Sequence, residues 1–335
     1  MNGASGVILA GDIGGTKTIV ALFEDAGGGL RVLREETFPS RSHEGLGQIL
    51  EAFRAREPLP PLRGACFGVA GPVFDGRCEA TNLPWVIDAK ALRGTLGLER
   101  VAVINDLVAT AYGILDLKPD DVVVLNEGRP HPEGNKALIA AGTGLGEAIL
   151  FWDGTRTRYR PVASEGGHAD FAPRNVLEIE LLRYLLKKHH RVSYERVLSG
   201  PGILNIYSFL KEAGHGEEAV WLRERFHGQD PSVVITDAAM RGESDLCVKT
   251  LSLFVSLYGA EAGNLALKAL ATGGVYVGGG IAPKILDRLM DGTFMTAFTD
   301  KGRLSPLVSD MTVRVVLNPQ TALRGAARCA TVLTP

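Results

Sequence analysis

No stretch of this chain stays apolar for the roughly 18 residues that a bilayer crossing requires, so a membrane span is not expected. Charge of one sign is also missing: 36 basic against 38 acidic side chains leave a net charge of -2. Such a balance offers no basic face to nucleic acid or to an anionic membrane surface. Cysteine is scarce, with four residues at 66, 78, 247 and 329. None forms a C-x-x-C pair and no Cys/His group has zinc spacing, so reduced thiols in a cytoplasmic protein are expected. The first residues lack a basic region followed by an apolar one, and no secretory signal is expected. Low-complexity segments and long linkers are absent too.

What is present is ordinary in bulk and unusual in one respect. At 335 residues and 45% hydrophobic content, the chain is long enough for two globular domains. Its 41 glycines are clustered, which points to tight ligand-binding turns. The first cluster is Gly11-Asp12-Ile13-Gly14-Gly15-Thr16-Lys17-Thr18, set between the apolar runs 7–10 and 19–23. It reads as strand, glycine turn, strand. Consecutive glycines let backbone N–H groups come close to a phosphate, and Asp12 places a carboxylate where magnesium or its water shell would bridge phosphates. A Walker P-loop is excluded, because Thr16 stands where that pattern needs glycine and a β-branched run follows in place of a helix. The competing reading is a tight turn with no ligand; the Asp, Thr and Lys side chains packed into it favour phosphate.

The pattern predicts strands over 7–12, 17–24 and 30–38, with Gly27, Gly28 and Gly29 in the intervening turn. A helix over 44–56, a strand over 63–69 and a helix near 88–97 follow. The continuously apolar Val101–Ile104 reads as a parallel strand buried on both faces, ahead of a helix over 107–115. The scheme then restarts. Lys136–Ala141 is a strand, Gly142-Thr143-Gly144-Leu145-Gly146 a turn, Glu147–Trp152 a second strand and Thr155–Arg160 a third. Two copies of one supersecondary unit are therefore expected. Residues 176–270 read as mostly helical, Thr250–Leu270 as a long helix, Val275–Val277 as a strand running into Gly278-Gly279-Gly280, Val313–Leu317 as a last strand and Gln320–Leu333 as a last helix. The layer pattern is α/β, with chain crossings near 110–116 and near 315.

Three polar groups have two readings each. Asn105-Asp106 ends a buried strand and starts a helix; Asp106 is either a base for an attacking hydroxyl or part of a helix N-cap. Ser164-Glu165-Gly166-Gly167-His168 is either a polar turn or a pair that recognises vicinal hydroxyls, Glu165 accepting and His168 donating or accepting. A metal there lacks a third nearby ligand. Residues 193–202 start a helix with Ser193 as cap, and Glu195 is either a ligand or a first-turn acid. Two glycine turns in two duplicated halves point to a nucleotide held in the cleft between them.

In order, the segments LAGDIGGTKT (9–18), GVAGPV (68–73), TNLPWVID (81–88), INDLVATAYGI (104–114), AAGTGLGEA (140–148), SEGGHADFAP (164–173), ERVLSGPGI (195–203), GGVYVGGGIAPKI (273–285) and ALRGAA (322–327) are collectively specific. In them the chain resembles bacterial glucokinases of the hexokinase-type group, within the actin-like, sugar-kinase and heat-shock ATPase superfamily. The resemblance implies two ribonuclease H-like domains with an interdomain active-site cleft: a small one at 1–112 plus 315–335 and a large one at 113–314. It implies phosphorylation of the glucose 6-hydroxyl by ATP with Mg2+ in a cytoplasmic homodimer. By the same resemblance, Asp106 is the base; Asn105, Asp106, Glu165, His168 and Glu195 bind the sugar. Gly14, Gly15 and Thr16 match the first phosphate loop; Gly142, Thr143 and Gly144 match the second; Gly278, Gly279 and Gly280 match the adenosine motif. Asp12 holds magnesium through water. The broader repressor and sugar-kinase branch carries a cysteine-rich zinc motif after its Glu-x-Gly-His, where this chain has Ala169–Pro173, and an N-terminal DNA-binding domain for which the early phosphate strand leaves no room. The alternatives are a kinase for mannose or fructose, a non-catalytic sugar sensor, and an actin-like ATPase without a sugar.

Overall fold

The computed structural model describes residues 6–25 and 29–332; Gly27, Gly28 and Leu333 lie outside them. The chain forms two units, residues 1–120 with 318–335, and residues 121–317. The strands in chain order are β1 (Val7–Ile13), β2 (Lys17–Asp25), β3 (Leu30–Pro39), β4 (Leu62–Val69), β5 (Val73–Phe74), β6 (Arg77–Glu79), β7 (Val86–Asp88), β8 (Val101–Asn105), β9 (Val122–Asn126), β10 (Lys136–Ala141), β11 (Leu145–Asp153), β12 (Arg158–Ser164), β13 (Gly274–Gly278) and β14 (Val313–Val316).

The two main sheets share one plan. In the first unit the order is β3-β2-β1-β4-β8, and in the second β12-β11-β10-β13-β14 with β9 added at the edge. Each starts as an antiparallel meander and continues through two parallel strands. The expected duplication is thus a duplication of sheet topology. In the first unit, alternate residues of β1 and β2 feed two cores. Leu9, Ile13, Val20 and Leu22 pack towards the helices Leu46–Arg56 and Ala89–Leu96. Ile8, Ala10, Ala21 and Phe23 pack towards the helices Asp106–Gly113 and Thr321–Val332. Those last two helices approach closely because they meet at glycines: a Cβ on Gly325 would lie 1.8 Å from the Ala109 carbonyl oxygen, and one on Gly113 1.9 Å from that of Thr321. An Arg328–Asp116 ion pair closes the same contact.

The second unit is built around the helix Asp245–Ala269, capped by Ser244 and buried along most of its length against the β10 side of the sheet and the helices Gly200–Glu212, Pro231–Met240 and Thr293–Thr299.

Several local expectations change. β8 lies at the edge of its sheet, so Val101 and Val103 are buried while Ala102 and Ile104 are only partly covered; its unbroken apolar run does not mark a strand enclosed on both faces. The third strand of the second sheet starts at Arg158, since Asp153 accepts from the N–H and hydroxyl of Thr155 and Thr157 adopts φ +48°. That turn takes up residues assigned to the strand. The segment between β4 and the helix Ala89–Leu96, where no element is expected, carries the small antiparallel sheet β5-β6-β7. Ser193 makes no side-chain cap. Tyr194–Arg196 is a single 3-10 turn, and the helix begins at Gly200 with Ser199 accepting from Gly202 N–H at 3.0 Å.

Candidate active site

In the first unit, parallel register brings the chemistry-bearing residues to one sheet edge. Ile13 of β1 lies beside Val69 of β4, and Val69 beside Asn105 of β8. The C-terminal ends of the three strands therefore carry Asp12 and the first glycine turn together with Asn105-Asp106. Gly68 permits this closeness: a Cβ there would stand 2.9 Å from Ala109 Cβ and 3.9 Å from Asp106 Cα.

The two readings of Asn105-Asp106 divide between the residues. Asn105 is the N-cap; its Oδ1 accepts from the N–H groups of Leu107 at 2.9 Å and Val108 at 3.3 Å. Its Nδ2 donates to the Gly71 carbonyl at 3.1 Å, leaving one N–H of the amide for other use. Asp106 is the first helical residue, half-buried, with Oδ1 3.0 Å from the Leu107 N–H. With the cap supplied by its neighbour, Asp106 is not needed for that role.

The first turn closes on itself through Gly14 N–H to the Lys17 carbonyl at 3.0 Å. Ser40 supports it from behind: its hydroxyl donates to the Gly14 carbonyl at 2.7 Å and contacts the Thr18 hydroxyl at 2.9 Å. Gly15 faces Asn82, whose Cβ would be 2.7 Å from any Cβ at that position. Ser40 and Asn82 escaped the sequence reading; Asn82 sits within the quoted TNLPWVID segment. Burial pushes the Asp12 carboxyl up, and the Lys17 ammonium pulls it back. Among the described residues, no group of three or more His, Cys, Asp or Glu is placed to hold a metal ion. One desolvated carboxylate beside a glycine turn nevertheless fits magnesium, which keeps several waters and binds through one or two carboxylates plus substrate phosphates.

In the second unit, Ala140 pairs with Gly278 in parallel register, so the second glycine turn and the Gly278–Gly280 segment leave the sheet side by side. Gly279 has φ +82°, and a Cβ there would lie 2.2 Å from the Ala141 carbonyl oxygen; only glycine serves. The turn is closed by Gly142 N–H to Gly144 carbonyl at 2.8 Å, and the Gly142 carbonyl accepts from Gly200 at 2.8 Å. The first amide of each turn is thus committed internally, through Gly14 in one and Gly142 in the other. A cavity of about 470 Å³ opens here, walled by Gly142, Thr143, Gly280 and Lys284 and by Ser232 and Asp237 of the helix Pro231–Met240. Sequence reasoning did not find that helix wall, which has no glycine signature.

Glu195 stands behind the same turn. Its Oε2 accepts from Leu145 N–H at 3.0 Å, and a Cβ on Gly144 would lie 2.5 Å from that oxygen. Glu165 and His168 are exposed at the two ends of the 3-10 turn that follows β12. Backbone bonds join their segment to that of Glu195: Tyr194 N–H donates to the Ala169 carbonyl at 2.9 Å, and Phe171 N–H to the Val192 carbonyl at 3.0 Å. The structure therefore gathers Gly142–Gly144, Gly280 and Glu195 around one turn, with Glu165 and His168 on a segment bonded to the one that carries Glu195.

A family model described as Glucokinase matches residues 9–332. The chain is 44% identical to the glucokinase of Nostoc punctiforme over 97% of its own length and 98% of that protein's. It is also 44% identical to the glucokinase of Synechocystis sp., covering 98% and 99% of the two chains. Among solved structures, glucokinase from an Antarctic psychrotroph superposes with a TM-score of 0.86 at 32% identity, covering 97% of this chain and 99% of that one.

Proposed function

The chain belongs to the glucokinase family, and from that premise we propose that it transfers the γ-phosphoryl group of ATP to the 6-hydroxyl of D-glucose, giving glucose 6-phosphate and ADP. The observation that carries this reading is the Leu145–Glu195 bond: the turn that walls the nucleotide-sized cavity is held by a carboxylate assigned to the sugar.

Each side chain then has a task. Glu165, His168 and Glu195 hold sugar hydroxyls, and the remaining Asn105 amide N–H joins them. Asp106 takes the proton of the 6-hydroxyl as that oxygen attacks phosphorus. Fixing the sugar against its base lowers the barrier by removing orientational freedom. The amides of Gly15, Thr16, Thr143 and Gly144 point donors at phosphate oxygens, and Gly278–Gly280 admits the adenosine to the cavity. Asp12 would hold magnesium through its water shell, and that ion supplies charge neutralisation on the phosphates when bound. The protein works in this reading as a cytoplasmic homodimer.

ADP release, measured with ATP and Mg2+ across glucose, mannose, fructose, N-acetylglucosamine and no sugar, tests the reaction. Strong turnover on glucose alone is expected. Turnover on another hexose overturns the substrate, and sugar binding without turnover moves the sensor reading forward. Asp106→Asn is expected to lose roughly 10²–10⁴ in kcat with a smaller change in glucose affinity; unchanged turnover removes Asp106 as the base.

A further inference from the structure

Glu147 has no part in the reaction just described, yet it is 1% exposed on β11. Its Oε1 is buried with no hydrogen-bond partner among the described residues. The Glu261 carboxylate of the helix Asp245–Ala269 lies beside it, near enough for the two charges to oppose each other. Two ionised carboxylates cannot donate to each other, so the contact is satisfied only if one of them carries a proton. On the other side, Glu147 presses on the sugar segment. It lies opposite Ser164 in the β11–β12 register, and a Cβ on Gly166 would stand 1.9 Å from its Oε2. Gly166 lies between Glu165 and His168.

Glu261 reaches the other sugar carboxylate's segment. It accepts from Asn264 Nδ2 at 2.8 Å, and that amide also contacts the Tyr194 hydroxyl at 3.1 Å, next in sequence to Glu195. Lys268 donates to Glu261 Oε1 at 3.2 Å, which places the proton on Glu147. We propose that a protonated Glu147 donates to Glu261 and that the two act as a positioning pair, Glu147 setting the turn that carries Glu165 and His168 and Glu261 setting the segment that carries Glu195. The proposal rests on the glucokinase reading for which ligand is positioned.

The charged and titratable groups facing the pair are Lys268 and Tyr258 on the long helix, Tyr194 on the 3-10 turn, and Lys301, which bonds the Ala260 carbonyl and feels both Glu261 and Arg174. Burial and Glu261 raise the Glu147 carboxyl to about 7, against the pull of Lys268. Loss of the Glu147 proton at alkaline pH puts two negative charges behind the sugar turn.

The test compares Glu147→Ala, Glu147→Gln and the wild type from pH 6 to 9, reading KM for glucose and for ATP separately. Glu147→Ala should raise the glucose KM about tenfold or more with the ATP KM within twofold. Glu147→Gln keeps a donor that cannot ionise; it should restore most of the glucose KM and abolish the alkaline rise shown by the wild type. A glucose KM within twofold of wild type in Glu147→Ala overturns the proposal, as does an alkaline rise that persists in Glu147→Gln. If the alanine variant does not fold, the glutamine pH profile decides. Ligand-free amide exchange provides an arm independent of substrate: exchange at 166–169 and 194–196 should quicken in Glu147→Ala and not in Glu147→Gln. Wild-type protein without glucose turnover but with that exchange pattern would sink the glucose assignment and leave the pair standing; unchanged exchange in both variants would sink the pair.

Discussion

The two glycine turns occupy the same place in two copies of one sheet plan, yet they are supported by different chemistry. Behind the first stand neutral groups: the Ser40 and Thr18 hydroxyls and the Asn82 side chain. Behind the second stands the Glu195 carboxylate, with the Glu147–Glu261 pair under the segment bonded to it. Charge near the first turn lies on Asp12 and Lys17, within the strand-turn-strand segment itself. Duplicated topology thus fixes where backbone donors emerge and leaves each copy free to acquire its own function. A turn held by hydroxyls has a support with no charge of its own, whereas a turn held by a carboxylate is tied to whatever else that carboxylate binds.

This difference can be broken most forcefully at Gly144. A methyl group there would sit 2.5 Å from Glu195 Oε2, so Gly144→Ala should displace the carboxylate and lower kcat/KM by roughly 10²–10³, with glucose and ATP both affected. Calorimetric glucose affinity unchanged from wild type would show that the second turn is not coupled to the sugar.

Titration should also separate the two regions. Because the Glu147 carboxyl is raised from 4.5 to about 7 in the folded protein, the folded state holds that proton more tightly than the unfolded chain. Its contribution to stability is full below about pH 4.5 and is lost as pH rises towards 7, an effect of roughly 3 kcal/mol. Urea unfolding at pH 5 and pH 7.5 should show that loss in the wild type and a much flatter response in Glu147→Gln. The hydroxyl supports of the first turn cannot contribute such a slope.

At Gly15 the expected effect is smaller and one-sided. Gly15→Ala meets Asn82 Cβ at 2.7 Å and should raise the ATP KM about tenfold while glucose affinity holds. Combining it with Asn82→Gly, which removes the obstructing atom, should recover part of the loss. Failure of the double variant to recover would mean that Gly15 matters for phosphate approach and not for packing.

The mildest change is Ser40→Ala. It removes the donor to the Gly14 carbonyl at 2.7 Å and should cost about 1 kcal/mol of stability with only a few-fold rise in ATP KM. A comparable rise in glucose KM would count against the separation of the two supports.

The backbone of this site was legible in the sequence because glycine clusters flanked by apolar runs have few other uses. Both hairpins fall where the pattern of Val7–Phe23 and Lys136–Trp152 puts them. The exception, the start of β12, was displaced by an Asp153–Thr155 turn whose side-chain bonding competes with strand pairing. Asn105-Asp106 was ambiguous because adjacent Asn and Asp have equal claims to a helix cap; only three-dimensional placement assigned the cap to Asn105 and spared Asp106. The helix Pro231–Met240 gave no functional signal, since its cavity wall of Ser, Thr, Asp and Val side chains carries no glycine cluster or other motif. Glu147 looked like one polar residue in an apolar strand, and its meaning depends on Glu261, more than a hundred residues away.

The close glycine contact between the helices Asp106–Gly113 and Thr321–Val332 has a temporal side. On the ribosome, residues 121–317 emerge as one uninterrupted stretch and can pack as they appear. The helix bearing Asp106 is synthesised far earlier, but its partner is encoded after all of them. The proposed base therefore spends most of the chain's synthesis without the surface that seats it, and the chain can acquire full activity only after residues 321–332 have been made and have docked.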